Sequence, residues 1–348
     1  MRQQGSGFSV GVKRHMRPMV LGGMVLLCAA ASPAQNLWDL FSNRYTTNVL
    51  AWTRYNGNPV IGPSGSTWKS HGVGGPELLT FGTHVLMFYH GTGGLGSAPE
   101  NVDRIGVAEV SDVGAERLVH REMNGGLPVI DVGAAGTFDH LGASTPAAVF
   151  YKGQIYLYYT GKADSGSSIG LAVSANGEQF IKIGRVMGGI CPDVVAIGDT
   201  LYMIYQRLEG KGYKVHLAFS TDGRKFLEIG NGPVFEGKPG DWDAVSITAP
   251  RLWKNSGWIY MMYGGSAGDL DEPEFFGLAR SKDLVHWERH PGNPVFGAGV
   301  HGGPDGGTIR SPALFENDTW VIMIYEGNVG HHFWAPQASL CMAWVLKR

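Results

Sequence analysis

Ionisable side chains recur at two fixed places in this chain. Five prolines, Pro76, Pro146, Pro192, Pro250 and Pro312, are each followed thirteen residues later by a tyrosine: Tyr89, Tyr159, Tyr205, Tyr263 and Tyr325. The residues just after the prolines are Glu77, Ala147, Asp193, Arg251 and Ala313. Those just after the tyrosines are His90, Thr160, Gln206, Gly264 and Glu326, and Arg310 lies two before Pro312. Brought together, such groups can do acid–base chemistry. One carboxyl gives a proton, another takes one or attacks, and arginines hold hydroxyls or a carboxylate and tune the pKa values. They can also neutralise one another as an ion-pair plug, because charge away from water is costly unless paired or wet. A second set, Asp139, Asp243 and Asp305, stands seven residues before three of the prolines, after Phe138 and Trp242 in two cases. An Asp that recurs at equivalent loop positions is the pattern of a turn-capper. These three are reserve candidates because their loops border the same place.

The repeat dictates the elements that position these residues. Pro146-Ala-Ala-Val-Phe-Tyr151 and Gln154-Ile-Tyr-Leu-Tyr-Tyr159 flank Lys152-Gly153 and read as two short strands joined by a tight turn. A third strand carries Ile105-Gly-Val-Ala108, Ile169-Gly-Leu-Ala172, Val215-His-Leu-Ala218, Phe276-Gly-Leu-Ala279 and Leu340-Cys-Met-Ala343. Ser174-Ala-Asn-Gly, Ser220-Thr-Asp-Gly and Ser281-Lys-Asp-Leu then turn the chain into a fourth strand opened by Phe180, Phe226 or Trp287. Repeated antiparallel units of four strands predict an all-β, five-bladed β-propeller. The last unit lacks its fourth strand. Trp52-Thr-Arg-Tyr-Asn-Gly-Asn-Pro-Val60 shares its Trp, Arg and Gly-Asn-Pro-Val with Trp287-Glu-Arg-His-Pro-Gly-Asn-Pro-Val295. Residues near 52–61 are therefore expected to complete the blade begun at Pro312 and close the ring. Residues near each proline and each tyrosine should ring the axis on one face. The two-residue period of a strand predicts that side chains just before and just after each proline point the same way.

Composition bounds the rest. The chain has 348 residues, 53 of them glycine, and a net charge of −2, which gives no electrostatic reason to expect a nucleic-acid partner. Basic residues at 13–17, an apolar run over residues 19–31 and Ser32-Pro-Ala34 have the layout of a secretory signal cleaved after Ala34. The expectation is a signal peptide at 1–34, one propeller domain at 35–348, a secreted or periplasmic address and no membrane association after cleavage. The apolar run is too short to span a bilayer. Cys191 and Cys341 fall in strands of different blades and are expected as buried thiols, not a disulfide. Gly91-Thr-Gly-Gly-Leu-Gly96 precedes no helical run, so no dinucleotide site is expected. No metal-ligand spacing is present, and no cofactor is expected. The loop with His331-His332-Phe333-Trp334 offers Trp334 as an aromatic face, either for a sugar ring or for packing on blade one.

Pro-started inner strands, the Tyr156-Leu-Tyr-Tyr-Thr-Gly161 ending, Asn-Pro-Val linkers and Ser-x-Asp-Gly turns resemble the five-bladed glycoside hydrolase superfamily of families 43, 32, 62, 68 and 130. The resemblance covers essentially the whole chain after residue 34. It implies carbohydrate chemistry in an axial pocket, with furanosides or xylosides as substrates and an oligo- or polysaccharide as partner. It places acids directly before the prolines of blades one and two and near that of blade three. Here those positions hold Gly75, Thr145 and Ile190. The working assignment is Glu77 as base or nucleophile and Asp193 or Glu326 as acid. His90, Gln206, Arg251, Arg310, Asp139, Asp243 and Trp334 would contact substrate. Hydrolysis is the first expectation. A non-catalytic sugar-binding propeller and a phosphorylase like those of family 130 are the alternatives.

Overall fold

A computed structural model gives the three-dimensional structure and describes residue 38 and residues 52–65, 67–94, 101–114, 117–268, 273–330 and 337–347, all within the compact unit Ala34–Arg348. It is a ring of five antiparallel sheets. Blade one is β2 (Gly72–Phe81), β3 (His84–Gly93), β4 (Val102–Gly114) and β5 (Arg117–Glu122). Blade two is β6 (Gly142–Tyr151), β7 (Gln154–Ala163), β8 (Gly166–Ser174) and β9 (Ile181–Gly188). Blade three is β10 (Ile190–Ile197), β11 (Thr200–Glu209), β12 (Gly212–Ser220) and β13 (Leu227–Glu228). Blade four is β14 (Ser246–Asn255), β15 (Trp258–Ser266), β16 (Phe275–Ser281) and β17 (Trp287–Arg289), with β18 (Phe296–Gly297) also paired to β16. Blade five is β19 (Ile309–Glu316), β20 (Trp320–Gly327) and β21 (Ser339–Leu346), completed by β1 (Thr53–Arg54). Thr53 pairs with Trp344 and Arg54 with Ala343, so the N-terminal strand closes the last blade as the repeat predicts.

One apolar core fills each gap between neighbouring blades. At the closing gap, Ile322, Ile324, Leu340 and Met342 of blade five pack on Val73, Met87, Tyr89 and Ala108 of blade one. The ring therefore closes through the same kind of contact that joins the other blades. The glycine of the third-strand signature serves this packing. A Cβ at Gly106 would come within 2.5 Å of Trp68, and one at Gly170 within 2.2 Å of Phe138. Those rings in turn lie against Tyr89 and Tyr159, with centroids 5.7 and 5.8 Å apart.

The proline–tyrosine repeat is a repeated β-bulge. In all five first strands the register shifts so that two residues oppose one: Gly75-Pro76 against Tyr89, Thr145-Pro146 against Tyr159, Cys191-Pro192 against Tyr205, Ala249-Pro250 against Tyr263 and Ser311-Pro312 against Tyr325. The residue before each proline is left-handed, with φ of 56°, 45°, 46°, 41° and 49° in that order. Residues before proline ordinarily stay extended, and four of these five are not glycine, so the sheet imposes the conformation. The expected two-residue alternation fails here. A bulge adds a residue and re-aims the side chains around it, so those before and after each proline meet different surroundings. Cys191 and Cys341 form no disulfide; Cys341 is buried, but Cys191, in the bulge of its strand, is only half-buried and lines a cavity.

Candidate functional site

The bulges free backbone N–H groups at the inner ends of the blades, and neighbouring side chains take them up. The hydroxyl oxygen of Thr160 in blade two accepts the N–H of Cys191 in blade three at 2.9 Å. The amide oxygen of Gln206 in blade three accepts that of Ala249 in blade four at 2.9 Å. Oε2 of Glu326 in blade five accepts that of Gly75 in blade one at 3.1 Å. Three of the five residues that follow the tyrosines thus do one job, and neutral oxygens suffice in two of them. A carboxylate at Glu326 is more than the bulge requires.

These residues wall a cavity of about 350 Å³ on the ring axis, at the small end of the range usual for ligand pockets. His90, Thr160, Gln206 and Glu326 line it, as do Thr145, Cys191, Ala249 and Ser311 before the prolines. Ser144, Ile190, Thr248 and Arg310, one residue earlier, also line it. Blade one is the exception, because Gly74 and Gly75 stand at these two places. A Cβ on Gly74 would sit 2.3 Å from Glu326 Oε2 and 2.9 Å from His90 Cε1, and one on Gly75 would sit 2.7 Å from His90 Nδ1. The glycine pair is a cradle that admits the imidazole and the carboxylate side by side. Glu326 Oε1 also accepts from Asn328 Nδ2 at 3.5 Å.

Glu77, Asp193 and Arg251 form a separate tier and do not line this cavity. Arg251 Nη1 lies 3.5 Å from Glu77 Oε2 and 3.7 Å from Asp193 Oδ1, and donates to the Pro146 carbonyl at 3.0 Å. Glu77 accepts the N–H of Ala148 at 3.5 Å, and Asp193 accepts that of Leu252. Each carboxylate thus caps the inner strand of another blade, two residues past its proline. Burial pushes Glu77 up to about 8, with the Asp193 charge adding to the rise and Arg251 opposing it. Burial likewise raises Asp193, against the pull of Arg251 and of the Leu252 and Val194 N–H groups. This is the geometry of the ion-pair plug.

Asp139, Asp243 and Asp305 also stand off the cavity wall. Each accepts the hydroxyl of its blade's repeat tyrosine: Tyr159 at 2.9 Å, Tyr263 at 3.2 Å and Tyr325 at 2.7 Å. Each also meets a cation from its blade's fourth strand: Lys182 at 2.6 Å, Arg289 at 3.3 Å and Arg54 at 2.7 Å. Blade one keeps the triad with the charges exchanged. Lys69 holds the aspartate's place, and Glu122 supplies the opposite charge from the fourth strand, 2.6 Å from Lys69 and 2.7 Å from the Tyr89 hydroxyl. A network that survives charge reversal is a staple inside a blade. Trp334 and its neighbours at 331–336 lie outside the described residues.

Four further cavity residues were not singled out from the sequence. Asp103, Ser167 and Tyr213 each stand two residues before the third-strand signature, so the same alignment that gave the prolines contains them. Lys162 lies across from Ser167, and Thr92 Oγ1 donates to Asp103 Oδ1 at 2.6 Å.

No protein-family model matches the sequence, and no curated protein does. Among solved structures, the chain is similar to a BT0996 complex named for RGII at 16% identity, covering 88% of this chain and 95% of that one with a TM-score of 0.66. It is similar to β-1,2-mannobiose phosphorylase from Listeria innocua in complex with β-1,2-mannobiose at 13% identity, over 85% and 96% of the two chains, with a TM-score of 0.65. A thermostable family-43 glycoside hydrolase gives 15% identity over 83% and 92%, with a TM-score of 0.59. At these identities the likeness is one of fold: the chain has the five-bladed propeller seen in glycoside hydrolases and in a glycoside phosphorylase.

Proposed function

We propose that this chain is a glycoside hydrolase that is exported through its N-terminal signal and cleaves a glycosidic bond in the axial cavity. The observation that carries the reading is the Glu326 carboxylate on the cavity wall, at a place where Thr160 and Gln206 show that a neutral oxygen suffices. Glycoside hydrolysis divides its work between two carboxyl groups, one protonating the leaving oxygen and one activating water or attacking the sugar carbon. Glu326 supplies one role and Asp103, also on the wall, the other. The resemblance puts an acid just before the blade-one proline. Here that space is open at Gly74 and Gly75 and is filled by Glu326 and His90. Glu77 and Asp193 are not on this wall and meet Arg251 instead. The structural neighbours named for RGII and β-1,2-mannobiose complexes favour a carbohydrate substrate.

Phosphorolysis is the second reading, and the grouping of Arg310, His90 and Lys162 on the wall beside Glu326 favours it. A phosphate oxygen would then attack the sugar carbon, and a single carboxyl would serve as acid. A panel of aryl glycosides, including arabinofuranosides and xylosides, run with and without inorganic phosphate, decides the matter. Turnover in water that is abolished by Glu326→Gln supports hydrolysis. Turnover only with phosphate supports the second reading. Sugar binding without turnover under either condition overturns both.

A further inference from the structure

We infer that Thr248 and His90 determine which sugar the axial cavity accepts, by hydrogen-bonding ring hydroxyls from two non-adjacent blades. The inference rests on the cavity being a sugar site and names the groups that read the sugar there.

Thr248 is 6% exposed and lies on the cavity wall. Its Oγ1 is buried and has no hydrogen-bond partner among the described residues. Buried hydroxyls in folded proteins are nearly always bonded, and one left open destabilises the fold. The blade accommodates the open hydroxyl through its cross-strand neighbour, Gly264. In blades two, three and five the residue at that repeat position carries the oxygen that caps the next blade's bulge. In blade four it has no side chain, and a Cβ there would come within 2.3 Å of Thr248 Oγ1. The Thr248 hydroxyl therefore stands where a capping side chain would otherwise reach.

His90 repeats the situation in blade one. Its Nδ1 is buried without a partner among the described residues, beside the Gly75 backbone. Gln206 and Glu326 already accept backbone N–H groups, and the Thr145 and Thr160 hydroxyls bond each other at 2.6 Å. Thr248 and His90 on the wall each carry a buried polar atom with no hydrogen-bond partner among the described residues. A threonine hydroxyl both donates and accepts, and an imidazole nitrogen does either according to tautomer. Both suit a sugar hydroxyl. A site built to bond a hydroxyl rejects the analogue lacking it by large factors, because its buried groups are then left unpaired.

The test compares Thr248→Val, which keeps the shape and removes the hydroxyl, with Thr248→Ser, which keeps the hydroxyl. Thermal unfolding is recorded for each protein alone, then with glucose, galactose, mannose, xylose or arabinose, and with their monodeoxy forms. Alone, Thr248→Val is expected to unfold at the wild-type temperature or about 1–3 °C above it, since an unpaired buried group is gone. It is expected to lose about 10–100-fold in affinity for the sugar that stabilises the wild type. It should bind one monodeoxy form of that sugar as the wild type does, and Thr248→Ser should keep the wild-type preference. A wild-type ratio of parent to deoxy sugar binding in Thr248→Val overturns the inference. So does a fall of several degrees in its unfolding temperature, which would make the hydroxyl structural. If no sugar shifts the wild type, the inference and the sugar-site reading fall together. If sugars bind with the Thr248 effect intact but no aryl glycoside is cleaved, only the hydrolase reading falls.

Discussion

Two tiers of polar residues share the axis of this ring, and they behave oppositely. In the lower tier Glu77 and Asp193 flank Arg251, and each carboxylate also caps a backbone N–H of another blade. The two carboxylates and the guanidinium face one another, and Arg251 Nε has no hydrogen-bond partner among the described residues. In the upper tier a glycine cradle admits Glu326 and His90 together, and His90 Nδ1 and Thr248 Oγ1 have no partner among the described residues. That tier walls the axial cavity, and Glu77, Asp193 and Arg251 are not among the residues that line it. Density of charge therefore does not mark the site here. Open hydrogen-bonding capacity on the cavity wall marks it, because an ion cluster that faces its own counter-charges offers little to a substrate.

Four substitutions separate the roles of the two tiers. The largest effect is expected from Glu326→Gln, which should lower kcat/KM by about 10²–10⁴-fold while leaving thermal unfolding close to wild type. Gln206 already performs the same capping in blade three, so the amide keeps the fold and loses only the chemistry. An unchanged kcat/KM on the best aryl glycoside would remove Glu326 from the mechanism.

Arg251→Met should be the most destabilising change, by about 3–5 kcal/mol in urea unfolding at pH 8, because it strands two buried carboxyls without their cation. The loss should shrink at pH 5, where those carboxyls hold protons. An equal loss at both values would show that Arg251 acts through packing alone.

Glu77→Gln tests the lower tier through pH. The folded-state value for Glu77, about 8, lies above its ordinary 4.5. Between those values the folded chain holds a proton that the unfolded chain has released. The stability linked to it is therefore present below pH 4.5 and lost as pH rises through 8. Glu77→Gln should flatten that decline and keep activity. An inactive but folded variant would move the chemistry to the lower tier.

Asp243→Asn should have the smallest effect, about 1 kcal/mol of stability with KM unchanged, since it weakens the contact with Arg289 and keeps an acceptor for Tyr263. A raised KM would give that staple a part in binding.

Much of the architecture was legible because the repeat is periodic. A proline that opens a strand and a tyrosine that closes the next recur at one spacing, and the displaced fourth strand betrays itself in Gly-Asn-Pro-Val at both 57–60 and 292–295. The site was only half legible. His90, Gln206, Arg310 and Glu326 stand on the cavity wall where the repeat positions placed them. A threonine in a strand is ordinary, so the sequence does not set Thr248 apart, and only the bare Gly264 opposite makes its hydroxyl unusual. Asp103 stands two residues before the third-strand signature, a place held by Ser167, Tyr213, Glu274 and Ala338 in the other blades, so no recurring residue type marks it.

The blades, their number, the closing strand and the ring of positions near the axis are all written in the sequence. All of these follow from local spacing and strand chemistry, which the chain carries in linear order. The tertiary structure alone decided which of those positions reach the cavity. The bulge at each proline breaks the two-residue alternation, sends Glu77 and Asp193 to Arg251 and turns the preceding residues toward the cavity. Whether a polar atom is satisfied depends on its neighbour in the next blade, 43 residues away along the chain for Gln206 and Ala249 and 251 residues away for Glu326 and Gly75. Contacts at such separations are fixed by closing the ring, and no local pattern encodes them.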